Sequence, residues 1–144
     1  MMKGMLLTLI PLLLAAAPQG DGVTLLAQRA EYGSYSDVWG YTAPDGREYA
    51  ILGTSTGTAF YNVVVPAAPY LTAFIPGHVS GWRDMVTYGP YCYAVTEGGA
   101  GVQVISLANP EAPLLVNTTA TGTVGHAHTI ACAQGTGRLY VNGT

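Results

Sequence analysis

The feature that most constrains this chain is an internal repeat. The 23 residues from Tyr49 to Leu71 return 44 residues later, from Tyr93 to Leu115, and seven of the 23 positions are identical without a gap. The shared positions are mainly apolar residues, glycine and proline, which define strand faces and turns. A repeat of about 40 to 50 residues made of short strands is typical of the blades of a β-propeller.

Turn residues divide each repeat into four predicted strands. In the first unit they fall near residues 36–42, 47–52, 58–63 and 70–75, and Pro44, Asp45 and Gly46 form the first turn because Pro fixes φ and Gly allows a positive φ. In the second unit they fall near residues 83–88, 91–96, 101–107 and 114–118. A third unit begins near residue 127 and has room for two strands before Thr144.

The sequence therefore predicts an all-β fold, a partial β-propeller of about two and a third four-stranded blades. The blades cover approximately residues 36–75, 82–119 and 127–144 of a repeat region that spans 23–144. Residues 23–28 resemble the strand that ends each repeat, because Leu26 aligns with Leu71 and Leu115, and they predict an orphan N-terminal strand. A partial propeller lacks the strands that would pair with this one, so a blade edge stays open, and an open edge favours self-association.

Residues 1–17 have the pattern of a secretory signal peptide. Lys3 precedes an apolar run from Met5 to Ala17, and the last three residues of that run, Ala15 to Ala17, are small residues near a cleavage site. The run is shorter than the roughly 20 helical residues that cross a bilayer. We therefore expect cleavage between about residues 17 and 20, and a secreted or cell-surface product with no membrane span in the mature chain.

Charge argues against nucleic acid as a partner. Removal of the signal also removes the only lysine, which leaves four arginines against eight acidic residues. Binding to a nucleic-acid backbone requires clustered positive charge, and the sequence has no basic cluster.

Three runs resemble the N-terminal part of the choice-of-anchor B family, bacterial surface proteins with LVIVD-type repeats. They are SDVWGYTAPDGREYAILG, GWRDMVTYGPYCYAVTEGGAGVQVISLANPEAPLLV and AHTIACAQGTGRLYVNG, and the resemblance covers about residues 23–144. It implies an exported protein with a β-propeller fold, without an established enzyme activity or cofactor. The chain ends before the later blades and the C-terminal anchor of that family, so ring closure and surface attachment do not follow from the resemblance.

Asp37, Asp84 and His128 occupy the same predicted position, at the start of the first strand of each unit. In a propeller these positions surround one mouth of the central channel, where carboxylates could hold Ca²⁺ or Mg²⁺. The alternative is structural, because Asp and His side chains at such positions commonly bond to the backbone of turns between blades.

Histidines and tryptophans are the other candidate binding residues. His126 and His128 form an H-x-H pair that on a strand could bind Zn²⁺, with His78 as a third ligand. Trp39 and Trp82 could stack on a sugar at the channel mouth, or they could wedge neighbouring blades together. The tyrosines that repeat in register are predicted to pack; they are Tyr49, Tyr93 and Tyr140.

The two cysteines, Cys92 and Cys132, leave two alternatives open. An exported protein meets an oxidising compartment, which permits a disulfide. Strands at different depths in neighbouring blades need not bring the two Cα atoms within the roughly 7 Å that a disulfide requires. In that case both residues are buried small hydrophobes.

The predicted function is that of an exported cell-surface or secreted β-propeller repeat protein, which binds or scaffolds an unidentified surface ligand or protein without catalysis. Its chemical groups are spread one per repeat instead of being gathered in one constellation. The alternative is a cation-dependent hydrolase or lyase that uses the ring formed by Asp37, Asp84 and His128. No cofactor is predicted apart from that divalent cation.

Overall fold

The computed structural model describes residues 19–20, 22–119 and 124–143, and within those ranges the chain consists of strands and connecting loops without a helix. The predicted signal peptide over residues 1–17 lies outside the described residues. The strands are β1 (Gln19–Gly20), β2 (Val23–Thr24), β3 (Tyr35–Thr42), β4 (Glu48–Thr54), β5 (Gly57–Asn62), β6 (Tyr70–Pro76), β7 (Arg83–Tyr88), β8 (Tyr91–Thr96), β9 (Val102–Ser106), β10 (Leu114–Thr119), β11 (Thr129–Ala133) and β12 (Arg138–Asn142).

Two four-stranded sheets have the same internal order. The first sheet contains β3 to β6 and the second sheet contains β7 to β10, each with sequence neighbours paired side by side. All of these pairs are antiparallel, so each sheet is a meander. The third sheet contains β11 and β12. The all-β prediction with four strands per repeat is confirmed, and the predicted strand bounds agree within two residues.

The first turn shows why the repeat is divided where it is. Gly46 has a positive φ of 84°, and its N–H donates to the carbonyl oxygen of Ala43 over 2.9 Å. The carboxylate of Asp45 accepts the N–H of Arg47 over 3.1 Å. The residues between Ala43 and Arg47 therefore reverse the chain and set the register of β3 against β4.

The three sheets are stacked through their first strands. Strand β7 lies against β3, and β11 lies against β7. Between the first and second sheets lies a core of eleven buried side chains, namely Tyr41, Ala43, Tyr49, Ile51, Phe60, Ile75, Met85, Cys92, Ala94, Ile105 and Leu107. Between the second and third sheets the fully buried set is smaller: Val86, Val95, Ala127 and Ile130.

The N-terminal strand predicted over residues 23–28 forms only in part. Val23–Thr24 pairs with Gln19–Gly20, whereas residues 25–30 have no regular structure. The following segment instead covers the outer part of the first sheet. The ring of Tyr32 stacks on Phe74 with 4.9 Å between ring centroids, and Arg29 lies over the ring of Tyr61.

The three repeat tyrosines do not all pack as predicted. Tyr49 is buried with 3% of its surface exposed, and Tyr93 is half-buried. Tyr140 is 58% exposed, so the packing prediction is wrong for this residue. Each tyrosine lies on the face of its sheet that points toward the next sheet along the chain, and among the described residues no further sheet follows β11 and β12.

Candidate functional site

The beginnings of the first strands meet where the sheets are stacked, and they carry the predicted site residues. Ser36 in β3 joins the first sheet to the second with two hydrogen bonds. Its hydroxyl donates to the carbonyl oxygen of Arg83 over 2.9 Å and accepts the Arg83 N–H over 3.0 Å. This polar junction sets β7 against β3.

Asp84 makes the corresponding link from the second sheet to the third. One carboxylate oxygen accepts the N–H of Met85 and the other accepts the N–H of Ile130 in β11, each over 2.8 Å. Burial raises the pKa of Asp84, and the neighbouring Asp37 carboxyl group raises it further, while the bond from Ile130 opposes the shift. The structure thus brings Asp37 and Asp84 together and gives Asp84 a structural bond between sheets.

His128 belongs to a different group of side chains. Its Nδ1 atom lies 2.6 Å from a carboxylate oxygen of Glu97, and its ring stacks on Trp82 with 4.5 Å between centroids and 11° between planes. These side chains keep much of their surface exposed. The predicted ring of three ionisable groups is therefore divided into a carboxyl pair, Asp37 with Asp84, and a separate cluster around His128.

The two tryptophans have different surroundings. Trp39 packs against the core between the first and second sheets, and its Nε1–H donates to the hydroxyl of Thr87 over 2.9 Å. This is the wedge between neighbouring sheets that was one of the two alternatives. Trp82 is exposed beside His128 and retains surface that a ligand could contact.

The three candidate histidines have different partners. The Nδ1 atom of His78 lies 3.1 Å from the carbonyl oxygen of Gly98, His128 engages Glu97, and His126 is exposed. In the part of the chain that the structure describes, no three His, Cys, Asp or Glu side chains are grouped as metal ligands. The Zn²⁺ hypothesis stays a prediction.

The two cysteines are free thiols on opposite sides of the second sheet. Cys92 is buried in the core shared with the first sheet, and Cys132 packs against the core shared with the third. Burial raises the pKa of the Cys92 thiol, as expected for a small hydrophobic core residue. The disulfide alternative is therefore not realised in this arrangement.

Sequence reasoning missed Arg83, the most deeply buried charged side chain among the described residues. Its surface is 0% exposed, and its guanidinium donates to the carbonyl oxygens of Thr54 and His78 over 3.1 and 2.7 Å and lies 3.3 Å from the side-chain oxygen of Gln103. Within the described ranges it forms no ion pair, and burial lowers its pKa. Arg83 thus fixes the connection between β6 and β7.

Glu111, in the loop between β9 and β10, was also missed. Its carboxylate accepts hydrogen bonds from four side chains of the first sheet and its turns, over 2.6 to 3.0 Å: Arg47, Tyr49, Asn62 and Tyr70. The bond from Tyr49 is the main cause that lowers the pKa of Glu111. Burial and the same bond raise the pKa of Tyr49 to about 12. Position 111 corresponds to Ala67 in the first repeat, so the repeat itself gives no signal for this bond.

Comparisons with protein-family models, with curated proteins and with solved structures find no match to this chain. The resemblance to the choice-of-anchor B family therefore stays a prediction. Across the described residues, no helix is long and apolar enough to cross a membrane.

Proposed function

We propose that this chain is an exported, cell-surface or secreted repeat protein of the β-propeller type, which binds or scaffolds and does not catalyse a reaction. Two four-stranded meanders of the same order, offset by one repeat and stacked through their first strands, support the propeller part of the proposal. The apolar N-terminal run after Lys3 supports export. The resemblance to LVIVD-repeat surface proteins agrees with both.

The non-catalytic, scaffolding role is supported mainly by the charged side chains at the stacked strands, because their hydrogen bonds hold the sheets together. Asp84 bonds to the backbone of Ile130 in the third sheet, and Arg83 bonds to backbone carbonyls of the first sheet and of the connection after it. Glu111 is likewise occupied by donors of the first sheet. A side chain that is committed to hold sheets together is poorly placed to exchange protons with a substrate.

Binding is proposed for the loop surface around Trp82 and His128. Three connections meet there, over residues 78–82, 97–101 and 124–128. The N–H of Gly101 donates to the carbonyl oxygen of Gly125 over 2.9 Å, and His78 contacts Gly98. An exposed indole ring beside the His128 and Glu97 side chains offers both an apolar surface and polar partners, a combination common at binding surfaces.

Export is tested by expression of the full sequence in a secreting bacterial host, followed by N-terminal sequencing of the product outside the cytoplasm. We expect a chain cleaved between about residues 17 and 20. An uncleaved product retained in the cytoplasm would contradict the export proposal.

Binding is tested with cell-envelope fragments of the organism from which the gene comes. Trp82→Ala is expected to weaken the binding of the exported chain by at least tenfold, about the effect of losing a central aromatic contact. Tyr91→Ala, which removes another exposed aromatic ring, serves as the matched control and is expected to bind as the wild type does. Equal binding by all three chains would contradict the proposed surface.

The enzyme alternative is tested in the same preparations. A cation-dependent hydrolase or lyase at Asp37, Asp84 and His128 requires bound metal that is lost in a folded Asp84→Ala variant. Our proposal predicts that metal content measured by mass spectrometry is the same in both chains and that the variant is less stable. A specific loss of metal with unchanged stability would favour the enzyme.

A further inference from the structure

The two ends of the stack of sheets repeat the two faces that are buried inside it. Strand register places Tyr49 and Tyr93 on the face of each sheet that points toward the next sheet, and places Tyr140 on the same face of the third sheet. We call this exposed end, formed by Ala131, Arg138 and Tyr140, the tail face. Tyr140 is thus a packing residue without its counterpart among the described residues.

The other end of the stack is the complementary face of the first sheet. In the second sheet, the cross-strand neighbours Met85 and Ala94 lie on the face that packs against the first sheet. Ala50 is the repeat equivalent of Ala94, and its cross-strand partner is Gly40. We call the exposed surface formed by Val38, Gly40, Ala50 and Leu52 the head face.

The head face has room for a large side chain. Val38 is 62% exposed, and a methyl group added at Gly40 would meet no atom within 4 Å. Two hollows of about 380 and 400 Å³ adjoin at Val38, and the second is lined by Gly40, Glu48 and Ala50 among others. The four residues of the head face are apolar, and charged side chains lie around them, namely Arg29 and Asp37 in the first hollow and Glu48 in the second.

Charge also matches the two faces. Glu48 is exposed at the rim of the hollow on the head face, and Arg138 is exposed on the tail face two residues before Tyr140. Within the described chain Arg138 forms no ion pair. Arg138 is the repeat equivalent of Arg47, which pairs with Glu111 of the adjacent sheet. An acidic partner on a neighbouring sheet therefore has a precedent inside the molecule.

We propose that copies of this chain associate head to tail, with Tyr140 of one copy seated in the hollow beside Gly40 and Ala50 of a second copy. The contact continues the internal stacking from sheet to sheet, in which Tyr49 packs toward Ala94 and Met85. Such an interface is heterologous, because different surfaces of the two copies meet. The inference rests on the observed faces and goes beyond the proposed binding role, which can fail independently.

Sedimentation velocity tests this interface on the exported product of the full sequence. The wild-type chain is expected to increase in mass with concentration. Val38→Asp blocks the head and Tyr140→Asp blocks the tail, and each is expected to weaken association at least tenfold, about the effect of losing a central contact. Val116→Asp makes the same valine-to-aspartate change in β10 of the second sheet, at a site that is 55% exposed and lies off both faces, and should associate as the wild type does.

A mixture of the two blocked variants gives the sharpest outcome. The Val38→Asp chain keeps its tail and the Tyr140→Asp chain keeps its head, so an equimolar mixture is expected to form a one-to-one heterodimer that neither variant forms alone. Circular dichroism checks that both variants are folded, and Val38→Ser and Tyr140→Ser replace either one that is not. A monomeric wild type, association unchanged in both variants, or a mixture without a heterodimer would overturn the inference.

Discussion

The first and second sheets are stacked through their first strands, and so are the second and third sheets. The two interfaces differ in the number of side chains that they bury. Eleven side chains are buried in the first core and four in the second, so the apolar contribution to stability is concentrated in the first. The first interface also contains the buried Arg83 and the four hydrogen bonds to Glu111. The comparison teaches that equivalent repeats need not contribute equally to the stability of a stack.

The second interface depends more on polar contacts near its rim. Asp84 accepts the N–H of Ile130, the side chain of Gln134 donates to the carbonyl oxygen of Thr87, and His128 contacts Glu97. Among the residues that the structure describes, the third sheet has two strands, which leave the outer strands of the second sheet uncovered on that side. Leu114 of β10, which is 64% exposed, lies on that side of the second sheet.

The largest effect is expected from Arg83→Ala, which breaks the first interface. The change removes a fully buried side chain and leaves the carbonyl groups of Thr54 and His78 without their donor. We expect a loss of about 3 to 5 kcal/mol in the free energy of unfolding, measured with urea. Arg138→Ala, an exposed arginine, should change it by less than about 0.5 kcal/mol. Equal effects in the two variants would contradict the assignment.

Glu111→Ala is expected to weaken the same interface by about 2 kcal/mol, because four donors lose a charged acceptor. The lowered pKa means that this contribution is complete above the ordinary pKa of a glutamate and is lost as pH falls through the folded-state value. Unfolding curves of wild type and variant should therefore converge in acid. Glu48→Ala is the control, and a difference that persists in acid would argue against the carboxylate as the cause.

Asp37→Asn tests the contact between the Asp37 and Asp84 carboxyl groups, which lies where the first strands of the three sheets meet. The raised pKa of Asp84 means that the folded state loses stability as pH rises through that value. The substitution removes the like charge and retains a group that can donate to Asp84. We expect a gain of about 0.5 kcal/mol at neutral pH, the size of a partly screened charge contact, and none in strong acid. A loss of stability at neutral pH would be the opposite result.

The smallest effect is expected at the rim of the second interface. Glu97→Gln removes the charge that contacts His128 in an exposed pair. Surface pairs of this kind contribute little, so we expect a loss of about 0.3 kcal/mol in chemical unfolding. A loss as large as that of Glu111→Ala would show that the second interface depends on this pair far more than its exposure indicates.

The strands could be predicted because local residues determine them. The breakers at Pro44 to Gly46 and the repeat around Tyr49 and Tyr93 set turns and faces before any tertiary contact is known. Exposure could not be predicted in the same way. Tyr140 has the pattern of a packing residue, but burial depends on whether another sheet lies against it.

Of the candidate site, the sequence predicted only the carboxyl pair, whose two side chains lie on the first strands of adjacent sheets. Asp37 and Asp84 meet because adjacent sheets bring the starts of their first strands together, as the repeat indicates. Arg83 gave no signal, since its main partners are backbone carbonyls that any sequence supplies. Glu111 stands where the first repeat has alanine, so a bond found in one repeat cannot be inferred from the other.

Hydrogen exchange measured by mass spectrometry tests the central claim, that the first two sheets form the stable unit and the third is held less firmly. We expect amides of β11 and β12 to exchange at least about tenfold faster than those of β4, β5 and β8, because local opening of the third sheet exposes a smaller core. Uniform protection across all three sheets, lost in a single step on addition of denaturant, would contradict the account.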